Sequence, residues 1–146
     1  MSTHGREELD REGRAVAANT RASLMSDTKW RKVLAALDQR DLELRQCIVK
    51  FVGDAAENVM SRPIGLHPPR PWVDTFQFGP IPLRSIEWML FPRVAEYDRG
   101  DRTLPKQRVD QEIDEAKRIV DALGLYPAEL TERGLLLTGY LRADGS

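Results

Sequence analysis

Side chains that can hold a proton, a metal or a nucleophile at a workable spacing are scarce in this 146-residue sequence. The only histidines are His4 and His67, and the only cysteine is Cys47. Groups so few and so scattered cannot assemble a zinc cluster with ligand spacing, so no metal or other cofactor is expected. No Gly-rich phosphate loop and no Gly-x-Ser-x-Gly elbow occurs either. A Cys–His nucleophile would have to join Cys47 to His67. Cys47 lies in an apolar, alternating stretch, where the thiol is expected to be buried and inert.

Two places remain where residue types and spacing suggest function. One is Glu87, in Ile86-Glu87-Trp88. Strict alternation puts Ile86, Trp88 and Leu90 on one face of a strand and Ser85, Glu87 and Met89 on the other. A carboxylate on a half-covered sheet face could serve as an acid/base or as a partner-binding charge. Its plainer role is a strand residue paired with a cross-strand Lys or Arg. The other place is Leu66-His67-Pro68-Pro69-Arg70-Pro71-Trp72-Val73-Asp74. Trp and Arg are the side chains most enriched at binding hot spots, and a stiff backbone loses little entropy on binding. The alternative there is a structural proline loop whose Trp72 plugs the edge of the core.

These residues must be positioned by elements that the pattern also predicts. Residues 6–22 read as a marginal helix, thin in apolar residues and weakened by Gly13, so residues 1–19 are expected to form an arm dispensable for folding. Ser26-Asp27-Thr28 supplies an N-cap cluster, and Trp30, Val33, Leu34 and Leu37 make one helical stripe. Residues 45–52 alternate as a strand, with Gly53-Asp54 closing it. The prolines of residues 61–72 exclude regular structure there. A second strand over 73–78, a reversal at Gly79-Pro80-Ile81-Pro82 and a third strand over 83–91 follow. Arg93 to Arg102 reads as a charged loop. Thr103 and Pro105 suit the start of a second long helix with Val109, Ile113, Ala116, Ile119, Val120 and Leu123 on its apolar face and Gly124 as its stop. A last strand spans 134–141. The order is α-α-β-β-β-α-β: a single α+β domain over 20–142, with an antiparallel sheet of about four strands, helices packed on one face, and a tail at 143–146. The core is expected to hold Trp30, Val33, Leu37, Val49, Phe51, Ile86, Trp88, Leu90, Ile113, Val120 and Leu123.

Three phrases occur in an order that resembles a small bacterial family of unknown function: Ser23-Leu24-Met25-Ser26-Asp27-Thr28-Lys29-Trp30-Arg31, then Ile86-Glu87-Trp88-Met89, then Gly139-Tyr140-Leu141-Arg142. A Tyr-Pro step before the last strand adds to the likeness. The resemblance covers about residues 20–142. It implies a compact α+β unit and supplies no catalytic residue. Asp27 stands where the family's pattern has Asn, a change that leaves the helix cap intact.

Charge and length narrow the function. A formal net charge of −1 and a pI near 6.1 lack the basic footprint of non-specific nucleic-acid binding. The longest apolar runs fall far short of the ~20 residues of a membrane span. A polar start and a lone cysteine point to the cytoplasm. The expected function is a non-enzymatic protein-binding module, of the kind bacteria use as immunity proteins against a cognate toxin. Its expected partner-binding residues are His67, Arg70, Trp72, Asp74 and Glu87. The alternative is a small enzyme or ligand-binding protein using the sheet face around Glu87.

Overall fold

A computed structural model describes residues 20–63, 70–75 and 77–142. Helix α1, Asp27–Leu37, begins where the Ser26 side chain accepts the Lys29 backbone N–H at 3.1 Å, and it buries Trp30, Val33, Leu34 and Leu37. Its C-terminal carbonyls are met from outside. The Arg62 guanidinium donates to the Leu37 and Leu44 carbonyls at 2.9 Å and pairs with Asp38 at 2.9 Å. Helix α2, Ile113–Leu123, stops at Gly124 with φ at 136°, and Lys117–Asp121 and Arg118–Glu115 ion pairs line its wet side.

The chain is mostly β, not the helix-first α+β order expected. The strands are β1 (Thr20–Ser23), β2 (Gln46–Phe51), β3 (Asn58–Ser61), β4 (Trp72–Thr75), β5 (Gly79–Pro82), β6 (Ile86–Pro92), β7 (Val94–Tyr97), β8 (Gln107–Asp110), β9 (Ala128–Leu130), β10 (Gly134–Thr138) and β11 (Tyr140–Arg142). Five of them form one antiparallel sheet in the order β3-β2-β6-β10-β9. Among the described residues three two-stranded pairs, β1–β11, β4–β5 and β7–β8, accompany this sheet. The expected four-strand sheet is therefore replaced by a five-strand sheet with small satellites.

Several differences have local causes. Residues 6–19 of the expected helix lie outside the described residues, and its last positions, 20–22, belong to β1, which pairs with β11. Val109 is not on a helix. It lies in β8, whose partner β7 occupies the segment expected to be a loop. Two buried glutamines stitch this hairpin to the sheet. The Gln46 amide donates to the Glu96 carbonyl at 2.9 Å and accepts the Glu96 N–H at 3.1 Å. Gln111 accepts the Arg45 and Gln46 N–H groups at 2.9 Å and donates to the Gln46 and Pro92 carbonyls. Each amide thus stands in for a backbone ladder step. Gly79-Pro80-Ile81-Pro82 is a strand rather than a reversal, and a short 3-10 turn, Leu83–Ser85, precedes β6.

Both helices and the β4–β5 hairpin pack on one core. It joins Trp30, Val33, Leu34 and Leu37 of α1 to Cys47 and Val49 of β2, Met89 and Phe91 of β6, Leu135 and Leu137 of β10, Val73 and Ile81 of the hairpin, and Ile113, Ala116 and Val120 of α2. Most of the expected core is buried. Phe51 and Trp88 are only half-buried, and Leu123, at the end of α2, is exposed.

Candidate functional site

The proline-rich segment leads into the β4–β5 hairpin, and alternation there sorts the side chains. Trp72 lies opposite Pro82, Val73 opposite Ile81, Asp74 opposite Pro80 and Thr75 opposite Gly79. Val73 and Ile81 enter the core, so Trp72 and Asp74 turn to the other face. Trp72 is left 38% exposed, and Asp74 is half-buried. The turn is closed by Thr75, whose hydroxyl donates to the Gly79 carbonyl and accepts the Phe78 N–H, both at 2.9 Å. Gly79 adopts φ of 68°, a left-handed conformation that glycine takes without steric cost.

The base of the hairpin is fixed from α1. Arg31 donates to the Arg70 carbonyl at 2.9 Å and to the Trp72 carbonyl at 3.4 Å, and the Leu83 N–H donates to the Pro71 carbonyl at 2.9 Å. The Arg70 guanidinium stands 5.8 Å from the centre of the Trp72 ring, within cation–π range. Arg70, Trp72 and Asp74 thus come together on one hairpin. His67 lies outside the described residues. Arg84, in the turn that follows the hairpin, accepts the Tyr140 hydroxyl on its carbonyl at 2.9 Å. Burial raises the Asp27 carboxyl above its ordinary range, and the Arg84 cation partly offsets this. Burial likewise pushes the Tyr140 phenol up, with Asp27 adding to the effect.

Glu87 belongs to a different place. Trp88 lies opposite Lys50 but Ile86 lies opposite Phe51, so Glu87 is an extra residue in β6, a β-bulge. The bulge breaks the expected alternation. Ile86 joins the core with Met89 and Phe91, whereas Trp88 does not. The Glu87 carboxylate meets the Lys50 ammonium at 2.9 Å, with side chains only 5% and 13% exposed. A cross-strand lysine therefore holds one carboxylate oxygen, away from solvent. On the same sheet the Arg133 guanidinium lies 6.0 Å from the Trp88 ring centre and pairs with Glu57 at 2.8 Å.

Cys47 is fully buried and free, and burial pushes its thiol up to about 12, with the Arg62 cation acting the other way. Among the described residues no group of three or more His, Cys, Asp and Glu side chains could hold a metal ion. Among them, too, no helix is long and apolar enough to cross a membrane.

Residues 13–144 match DUF6678, a family of unknown function. The chain belongs to that family. No curated protein and no solved structure matches the chain. The three phrases that carried the resemblance fall at structurally demanding points of this member. They mark the cap and first turns of α1, the bulge in β6, and the crossing of Gly139 over that bulge. Sequence reasoning gave Arg31 no role at the hairpin; it expected a cross-strand Lys or Arg beside Glu87, and that residue is Lys50. Arg31 follows Trp30 on the flank of the helical stripe, and that adjacency is the one signal that pointed to it.

Proposed function

We propose that this member of DUF6678 is a non-enzymatic protein-binding module that contacts its partner through the β4–β5 hairpin, and that the partner is a toxin it neutralises. One observation carries the proposal. Trp72 keeps more than a third of its surface open on a strand whose alternate residues are core anchors, with the Arg70 guanidinium beside its ring. The Trp72 backbone carbonyl is held by Arg31, and the residue lies between Pro71 and Pro82. It therefore sits on a stiff strand that loses little freedom when covered, which is how hot-spot side chains supply affinity. A free, buried thiol suits a cytoplasmic setting. The sheet-face enzyme is the weaker alternative, because acid/base work needs a carboxylate open to substrate and Glu87 is enclosed beside Lys50.

The proposal is tested in cells. The product of the adjacent gene is induced with and without this chain. Neutralisation predicts growth arrest by the neighbour alone, rescue by the wild-type chain, and loss of rescue with Arg70→Ala/Trp72→Ala at equal soluble level. Absence of toxicity, or full rescue by the double variant, would count against it.

A further inference from the structure

Away from the hairpin, a cleft of about 900 Å³ opens between the loop that follows α1, the end of β3 and the β7–β8 hairpin. That volume lies within the range of small-molecule sites, roughly 300–1,000 Å³. Leu42, Pro63 and Val109 give it apolar walls, the first two buried. Five charged side chains line it, and four neutralise one another: Arg62 with Asp38 at 2.9 Å, and Arg45 with Glu43 at 3.1 Å. Arg40 is the cation left over. Among the described residues neither its guanidinium nor the Tyr97 hydroxyl has a hydrogen-bond or ion-pair partner. Tyr97 lies directly opposite Gln107 on the β7–β8 ladder, so both side chains face the cleft from one side of that hairpin.

We infer that this cleft is a binding site for a small organic anion, a carboxylate or phosphate monoester attached to a flat apolar body. The anionic group meets Arg40, the donor geometry best matched to carboxylate and phosphate oxygens. The body lies against Leu42, Pro63 and Val109, and Tyr97 and Gln107 donate from the rim. Burial, and after it the Glu43 carboxylate, raises the Tyr97 phenol, with Arg45 acting the other way, so the hydroxyl remains a donor at neutral pH. The site is separate from the hairpin surface and does not depend on the protein-binding proposal.

The test titrates the intact protein with phenyl phosphate, benzoate and the neutral phenol, following backbone amide resonances. At least one of the anions is expected to shift resonances of the cleft with a Kd of about 1 mM, typical for a fragment of this size. Phenol should bind at least ~10-fold more weakly, and Arg40→Ala should weaken the anion by ~10-fold or more. Arg40 is exposed and outside every ion pair described above, so its melting temperature should match the wild type. Tyr97→Phe, which keeps the ring, should weaken binding by a smaller factor. The inference is overturned if neither anion moves cleft resonances at ten times that concentration. It is equally overturned if phenol binds as well as the anions, or if Arg40→Ala binds as tightly as wild type.

Discussion

The Glu87 carboxylate and the Lys50 ammonium sit at 2.9 Å with almost no access to water. Burial makes such a pair costly to break from one side and cheap to replace whole. Lys50→Met should therefore lower unfolding free energy by about 3 kcal/mol, while Lys50→Met/Glu87→Leu should recover most of the loss. A chemical-denaturation double-mutant cycle measures both. Cys47 gives a second residue-level prediction. Its thiol holds its proton up to about 12 in the fold but releases it near 9.0 when unfolded. The stability this contributes is complete below pH 9.0 and is lost as pH rises toward 12, at up to about 1.4 kcal/mol per pH unit. Cys47→Ala should flatten that alkaline fall in melts taken across the window. At pH 8 a disulfide reagent should label native Cys47 only as fast as the protein opens.

Among the elements, a close backbone crossing lies between β6 and the residue that links β10 to β11. The Gly139 N–H donates to the Glu87 carbonyl at 2.7 Å, and a Cβ on Gly139 would overlap the Ile86 carbonyl oxygen. Gly139→Ala should therefore cost about 3 kcal/mol or more, since backbone on both sides must move. A melt showing no change would remove the crossing as the reason for glycine there. Periodicity read α1 well because Trp30, Val33, Leu34 and Leu37 face one core, and it read β2 because Cys47 and Val49 enter the core while the alternate residues Ile48 and Lys50 stay half-buried. It misread β6 because one inserted residue exchanges the faces, and nothing in Ile86-Glu87-Trp88 marks a bulge. It also missed β3, β7, β8 and β9, three- or four-residue strands too short to show a period. The hairpin surface was half legible. The density of Pro, Arg and Trp marked it, but the clamp from Arg31 is a contact across 41 positions that spacing cannot show. The residues of the cleft, drawn from three distant segments, formed no pattern in the chain.

At the scale of the molecule, one core anchors the hairpin from below through Val73 and Ile81, leaving Trp72 free to act outward. On the protein-binding proposal, folding and binding fall on opposite faces of β4, and substitutions on the two should separate. Trp30→Ala removes a fully buried indole and should cost about 3–5 kcal/mol, enough to unfold a marginal domain. Trp72→Ala should cost under about 1 kcal/mol, because an exposed substitution leaves the core filled. The most direct measurement is the dissociation constant of the complex with the adjacent gene's product, for wild type and Trp72→Ala, each with its melting curve. A protein-binding hairpin predicts affinity lowered by about 30-fold or more, near 2 kcal/mol, with the melting temperature held within a few degrees. Equal affinity in the variant, or a variant that no longer folds, would contradict it and make Trp72 a structural residue.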